Sequence, residues 1–428
     1  MSQFKFSKRN IVFTLLLAVA LVLPAGLTAA QGPQYITYNS MHGDPIPRAF
    51  DEEIVAMWNE ANPLTPVEHS IIAHEDFKQA IRAYLTAQPA PDVLTWFAGE
   101  RARFFIDRGL IADISDVFEE YGFNETYAPG FLALASVDGK QYFLPTSYYW
   151  WAVYYRPSLF EQAGITEVPE TWDEFLAACD TLNAAGITPI TIGTRYPWTA
   201  AAWFDYINMR LNGPEFHIDL MLLKESYTDE RVRAVFDYWQ QLFDHNCFIE
   251  DAAAYAWQEA LTPMAEGNAA MYLMGQFIVD SYPDELEDDL DFFRFPIIDP
   301  EVPIGEDAPT DGYFIAAGAR NLEGGKEFLA FIGSQEVQQK AFDELGRLPT
   351  RTDVDVSGAS PATQKGIELI QTADYVAQFY DRDTTAPMAE AGLNAFSLFW
   401  SDPSSIDQIL EDLEAERLRI LEEEAAAQ

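Results

Sequence analysis

Tyr142 to Ile165 read YFLPTSYYWWAVYYRPSLFEQAGI, and Pro169 then opens the run ETWDEFLAAC. The aromatic residues of the first stretch gather in clusters that lack helical spacing. The second stretch begins a helix: Thr171 is a sound N-cap, and Glu174, three residues on, completes a capping box.

On both sides of this segment, short extended runs alternate with amphipathic helical ones from Tyr35 onward, which predicts a mostly parallel sheet flanked by helices. Tyr35 to Tyr38 reads as a strand, followed by a helix to Ala61 with Phe50, Ile54, Val55 and Trp58 on one face. Val67 to Ile72 and Asp92 to Trp96 read as strands, Glu75 to Ala87 and Arg101 to Arg108 as helices. Val232, Val235, Phe236, Trp239, Leu242 and Phe243 form a stripe at helical spacing, which is a core face. From Pro403 the acidic end reads as one helix with Ile406, Ile409, Leu410, Leu413, Leu418 and Leu421 as its apolar positions, fraying at its tip.

At the start, Lys5, Lys8 and Arg9 precede an apolar run from Ile11 to Leu23 and the small residues Thr28, Ala29 and Ala30. That order is a secretory leader with cleavage expected near Ala30. The apolar run is about 13 residues where a spanning helix needs roughly 20, and Pro24 and Gly26 follow it, so an anchor is not expected. The cleavage region carries no cysteine to take a lipid, which implies a protein free in a periplasm. Beyond the leader, about 400 residues exceed what one core fills, so two lobes are expected. The net charge of −42 repels nucleic acid and anionic lipid. Cys179 and Cys247 either pair in an oxidising compartment or remain two buried thiols.

Catalytic signatures are missing: no GxSxG elbow, no HExxH, no glycine-rich phosphate loop, and five scattered histidines, His42, His69, His74, His217 and His245. No metal or cofactor is called for. A pair of glycosidase carboxylates among 68 acidic residues stays open, because their separation is spatial. Aromatics make up 14% of the chain. Aromatic faces suit the C–H faces of sugars, and carboxylates, arginines and amides suit their hydroxyls, although most aromatics in an α/β protein are core.

The segment from Tyr142 through ETWDEFLAAC resembles the central signature of the family 1 extracellular solute-binding proteins, the maltose-binding-protein-like group. Other stretches resemble the family in the same order: Pro91 to Leu94, Glu100-Arg101 through Gly109-Leu110-Ile111, Arg195-Tyr196-Pro197-Trp198, AMYLMGQF from Ala270, Asp311-Gly312-Tyr313-Phe314, and the helices from Gly324 to Ile332 and from Gln335. The resemblance spans nearly the whole chain after the leader. It implies an α/β, two-lobed periplasmic-binding-protein fold, type II-like, with a ligand cleft at the hinge. The expected division is a leader over 1–30, an N-terminal lobe of 31–146 and 312–350, and a C-terminal lobe of 147–311 and 351–428. It also implies the substrate-binding component of an ABC sugar importer, a monomer that closes on a carbohydrate and docks on membrane permease subunits without changing the sugar. Maltose is not implied, because Gln276-Phe277 stands where maltose binders carry a tryptophan and Tyr148-Tyr149 where they carry acids.

The resemblance and the chemistry nominate ligand-binding residues. Glu100 and Arg101 sit at a strand-to-helix turn, as a carboxylate and a guanidinium for sugar hydroxyls or as a cap and a surface cation. Asn39, Ser40 and His42 follow the first strand at its carboxyl end, where open α/β sheets bind ligands, or are loop residues. Trp198 lies in a proline-containing loop and suits a stacking platform, whereas Trp203 packs. Gln276 can donate and accept after Gly275. Asp311, Gly312 and Tyr313 lie at the hinge, and Arg382 sits in an Asp381-Arg382-Asp383 loop that resembles a family element or is a surface ion cluster. Glu75, Tyr149 and Trp150 complete the set. Two rival functions share these features: a secreted carbohydrate-cleaving enzyme, and a ligand-binding partner of a chemoreceptor.

Overall fold

The computed structural model describes residues 35–427. The leader and its cleavage near Ala30 lie outside them. Fourteen strands are described, and ten of them make two sheets. In chain order the strands are β1 (Ile36–Ser40), β2 (Val67–Ile71), β3 (Val93–Phe97), the hairpin β4 (Ser136–Val137) and β5 (Lys140–Gln141), β6 (Leu144–Tyr148), β7 (Trp151–Tyr155), β8 (Thr188–Ile190), β9 (Ala269–Gly275), β10 (Asp291–Phe293), β11 (Gly305–Asp307), β12 (Thr310–Ile315), β13 (Leu348–Pro349) and β14 (Tyr375–Ala377).

The first sheet has the order β13-β6-β12-β3-β1-β2 and the second β10-β7-β9-β8. The fold is α/β and two-lobed, but neither sheet is mostly parallel. β1 runs parallel to β2 and β3, with Ile36 opposite Val67 and Tyr38 opposite Val93. β12 runs against both β3 and β6. The reason is the route of the chain: β12 arrives from the second lobe and enters at the carboxyl end of β3, with Asp311 opposite Phe97, so it has to run back against it. In the second sheet only the β8–β9 pair is parallel. Three connections carry the chain between lobes: Tyr149-Trp150 between β6 and β7, Ala308-Pro309 between β11 and β12, and the segment after β13.

Each face of the first sheet buries its own core. Ile36, Ile54, Trp58 and Phe328 pack on one side, and Phe77, Leu94, Trp96 and Phe314 on the other. The second lobe has a larger core that includes Trp172, Trp203, Trp239 and Phe396. Of the stripe on the helix Glu230–Asp244, Val232, Val235, Phe236, Trp239 and Leu242 are buried, while Phe243 is only partly so. Each such burial stabilises by about 1.5–3 kcal/mol. Cys179 and Cys247 form a disulfide across Cα atoms 5.4 Å apart, tying the helix Trp172–Ala184 to the end of Glu230–Asp244. Thr171 and Glu174 make the expected capping box.

The acidic end departs from its sequence reading. A 3-10 turn over Pro403–Ser405 precedes the helix Ile406–Ala427, Leu418 is exposed and Ile420 is buried instead. Ile420, seven residues after Leu413, keeps step with the 3.6-residue period, and Leu418, five after it, does not. Among the described residues no helix is long and apolar enough to cross a membrane.

Candidate functional site

A cavity of about 160 Å³ lies where the lobes meet, lined by residues of both. That is far more than the roughly 10–15 Å³ one water needs. Its walls are the carboxyl ends of β1 and β3, the turns that follow them, and the connections between lobes. Close backbone approach shapes it. A Cβ on Gly312 would stand 2.0 Å from the Leu144 carbonyl oxygen, so β12 can lie this near β6 only with glycine there. Gly99, at φ 74°, turns the chain from β3 into the helix Glu100–Ile106, and a Cβ on it would meet the Arg382 carbonyl oxygen at 2.5 Å. That helix therefore presents Arg101 to the second lobe at short range.

The second lobe supplies an aromatic wall centred on Phe277. The Phe277 ring stands edge-on to Tyr149 at 5.3 Å, to Trp257 at 5.3 Å and to Trp151 at 6.0 Å, and tilted to Trp198 at 6.3 Å. Trp151 also stacks on Phe379 with centroids 4.7 Å apart. Rings at such distances and angles make favourable contacts, worth about 0.5–1.5 kcal/mol per pair beyond their burial.

Charged pairs face this wall. Arg101 donates to Asp381 at 2.5 Å, joining first lobe to second. Arg382 donates to Asp311 at 2.8 Å and to the Tyr149 hydroxyl at 2.9 Å, with its guanidinium 4.4 Å from the Phe97 ring centroid. Trp198 Nε1 donates to Glu75 at 2.9 Å, and Lys78 lies 3.0 Å from the same carboxylate. Arg347 reaches Asp280 and Gln276. Burial, with the Lys78, Arg382 and Arg101 cations added, pushes His74 well below its usual pKa, so it lines the cavity as a neutral ring. Lys78, Arg101 and Asp381 also line a second cavity of about 280 Å³, so the Arg101–Asp381 pair stands between the two.

At the end of β1, Asp51 is fully buried and organises its surroundings. It accepts from Ser40 Oγ at 2.5 Å and from the Tyr38 hydroxyl at 3.0 Å, and pairs with His42 Nδ1 at 3.0 Å. Burial opposes its charge, but His42, His69 and Ser40 outweigh burial and hold Asp51 well below the usual carboxylate range. Burial likewise opposes the charge on His42, and Asp51 overrides it to raise the pKa. In the second lobe Asp205 and Asp307 are fully buried and Asp383, next to Arg382, is partly buried. Burial first and mutual repulsion second raise Asp205 and Asp307, and burial pushes Asp383 up to about 6. Among the described residues no cluster of three or more His, Cys, Asp or Glu side chains could hold a metal ion.

Of the residues nominated from sequence, His42, Arg101, Tyr149, Trp198, Asp311, Gly312, Tyr313 and Arg382 line the cavity. Trp198 does so from the first turn of the helix Trp198–Met221 rather than from a loop, 8% exposed, while Trp203 is fully buried. Six nominees stand elsewhere. Trp150 is core: neighbouring residues of an extended segment face opposite ways, so Tyr149 and Trp151 take the cavity and Trp150 packs against Phe292. Gln276 spends its amide on Arg347 and the Leu345 carbonyl. Ser40 serves Asp51 and Asn39 is half-buried within β1. Glu100 opens its helix without reaching the cavity, and Glu75 stands behind the wall, bonded to Trp198. Lys78, Trp151, Trp257, Phe277, Asp280 and Asp381 line the cavity without having been nominated. Trp151 adjoins Trp150, Asp381 lies in the Asp381-Arg382-Asp383 loop, and Phe277 ends the run AMYLMGQF. Lys78 and Trp257 carry no local sequence signal.

Comparison with known proteins agrees with this architecture. Residues 43–339 match the family model of the bacterial extracellular solute-binding proteins. An uncharacterised ABC-transporter extracellular-binding protein of Pyrococcus horikoshii is 22% identical over 77% of this chain and 73% of its own. A probable sugar-binding periplasmic protein of Mesorhizobium japonicum is 24% identical over 62% of this chain and 64% of its own. Among solved structures, the bacterial solute receptor AcbH, described as having an exclusive preference for β-D-galactopyranose, superposes with a TM-score of 0.85 at 29% identity. It covers 91% of this chain and 100% of that one. A fold of two lobes around one lined cavity, together with a family match over most of the chain, makes this protein a member of the bacterial extracellular solute-binding proteins, the binding components of ABC transporters.

Proposed function

We propose that this protein is the receptor of an ABC importer for a neutral sugar, and that it holds one pyranose ring between the Phe277-centred aromatic wall and the charged pairs facing it. The observation that carries this reading is the pairing of two surfaces in one cavity. Tyr149, Trp151, Trp198, Trp257 and Phe277 offer ring faces for C–H contacts. Arg101–Asp381 and Arg382–Asp311 offer charge-assisted donors and acceptors for hydroxyls, already neutralised in pairs. Paired charges suit an uncharged ligand, since an ionic one would leave a buried charge unmatched. The likeness to a galactopyranose receptor supports a single ring, as does the Arg101–Asp381 pair that separates the cavity from its neighbour.

The lobes are residues 31–148 with 310–350 and 149–309 with 351–428, a shift of two residues at two of the expected boundaries that keeps β6 and β12 whole in the first lobe, after removal of a leader over 1–30. His42, Arg101, Tyr149, Trp198, Asp311, Gly312, Tyr313 and Arg382 contact the sugar, with Lys78, Trp151, Trp257, Phe277 and Asp381. Bonds that span the lobes, Trp198 to Glu75 and Arg101 to Asp381, stabilise the closed form that a monomer in the periplasm presents to the membrane permease. A ligand drives closure only through its differential affinity for that form.

Thermal melts with galactose, glucose, xylose, arabinose and their common disaccharides test the reading. One monosaccharide is expected to raise the melting temperature, to bind one-to-one by calorimetry and to be recovered intact. Recovery of cleaved sugar places the protein among hydrolases instead. Absence of binding by every neutral sugar removes the reading.

A further inference from the structure

A bare pyranose leaves part of the cavity without a purpose. Its ring faces and paired charges lie against the second lobe and the ends of β1 and β3. Toward the interior of the first lobe the lining turns mostly apolar: Phe50 from the helix Pro45–Ala61, Ile332 from Leu322–Ile332, and Val337, Gln338, Ala341 and Leu345 from Gln335–Leu345. The last four fall at i, i+1, i+4 and i+8, one face of that helix. A sugar ring bears hydroxyls around its rim, and each one buried there without a partner loses its hydrogen bonds to water with nothing in exchange. A sugar therefore stays at the aromatic end.

Two polar side chains meet this lining: Arg347, which donates to the Leu345 carbonyl oxygen at its edge, and Gln338 within it. Gln338 is 2% exposed; its Nε2 donates to the Ile332 carbonyl at 3.0 Å, while its Oε1 has no hydrogen-bond partner among the described residues. Buried acceptors are rarely left unmatched in native proteins. An apolar group carrying at most one donor fits such a pocket.

We propose that this arm receives an aglycone, so that the ligand is a glycoside bearing a short alkyl or aryl group rather than a free sugar. The inference rests on the sugar-binding reading and adds the class of substituent at the anomeric position. Burying one methylene is worth about 0.8 kcal/mol, or about fourfold in Kd.

Calorimetric titration with methyl, butyl and hexyl β-glycosides of galactose, glucose and xylose, all below their micellar concentrations, tests it. For whichever sugar binds, affinity is expected to climb with each added methylene, so that the hexyl glycoside binds more than tenfold tighter than the methyl one. In Ala341→Phe, which fills the arm, the hexyl-to-methyl ratio is expected to fall to one. Equal affinity for methyl and hexyl glycosides overturns the aglycone and leaves the sugar reading standing. So does binding of a free sugar whose glycosides are all rejected. A gain that persists in Ala341→Phe overturns the placement in the arm. Rejection of free sugars and glycosides alike overturns both. If Ala341→Phe does not fold, the chain-length series on the unaltered protein decides alone.

Discussion

Replacing Trp198 by phenylalanine removes one N–H from a bond that spans the two lobes. Trp198 belongs to the second lobe, and its Nε1 donates at 2.9 Å to Glu75 on a first-lobe helix. Parting the lobes breaks that bond, so its free energy counts only toward the closed form. A phenylalanine ring keeps an aromatic face against Trp151 and Phe277, which stand 6.1 Å and 6.3 Å from the Trp198 centroid. Hydrogen bonds to charged groups net about 1.5–3 kcal/mol. Lys78 remains 3.0 Å from the Glu75 carboxylate, so that charge is not orphaned and the lower figure applies. About 1.5 kcal/mol is about a tenfold weaker Kd. Calorimetry with the sugar that most raises the parent's melting temperature, beside melts of the unliganded proteins, measures it. The tenfold loss is expected with an unliganded melting temperature within about 2 °C of the parent, since about 1 kcal/mol would move it further than that only in a smaller domain. Adding Glu75→Gln is expected to cost little more, with a coupling of at least about 1 kcal/mol between the two changes. An unchanged Kd, or a Kd that weakens only in step with a falling melting temperature, would falsify the bond as a clasp on the closed form.

Two further outcomes follow from the second lobe. Asp383 is pushed up to about 6 in the folded protein by burial, against about 3.9 in an unfolded chain. A carboxyl with a raised folded pKa favours the native state most below pH 4, where both states hold the proton, and loses that advantage as pH rises through 6. Asp383→Asn is therefore expected to abolish a decline on the order of 2 kcal/mol between urea midpoints at pH 4.5 and 7.5. A decline that persists undiminished in the variant assigns it to other groups. Reduction of the Cys179–Cys247 bridge, 68 residues apart in sequence, is expected to cost about 2–5 kcal/mol of stability by releasing a long loop in the unfolded chain. Sugar affinity should hold, because neither cysteine lines the cavity. A urea midpoint unmoved by reductant contradicts this.

Much of the fold is legible in local pattern because burial follows periodicity. The stripe from Val232 to Leu242 is core for that reason, and the Thr171–Glu174 box starts its helix because two orphan N–H groups need acceptors. Strand direction is less legible. β12 reads as a strand from its residues alone, but its antiparallel placement depends on which end of the sheet the chain reaches after leaving the second lobe. No run of side chains encodes that route. The bridge is equally illegible in sequence, since a distance between Cys179 and Cys247 exists only once two helices have packed.

The site divides along the same line. Arg101, Asp311 and Arg382 could be nominated because each sits in a short motif at a turn or a connection. Trp150 failed by one residue, and in extended chain one residue is the difference between the cavity and the core. Lys78 lies on a helix face that looks solvated in sequence, and it lines the cavity only because the second lobe brings Trp198 over it, 5.9 Å from its ammonium. Trp257 and Phe277 lie far apart from Tyr149 in the chain and meet it only in space. A cavity wall assembled from separate segments of a lobe therefore has no linear signature. What the sequence carries is the excess of aromatics from which the wall is drawn, and folding decides which of them face the cavity.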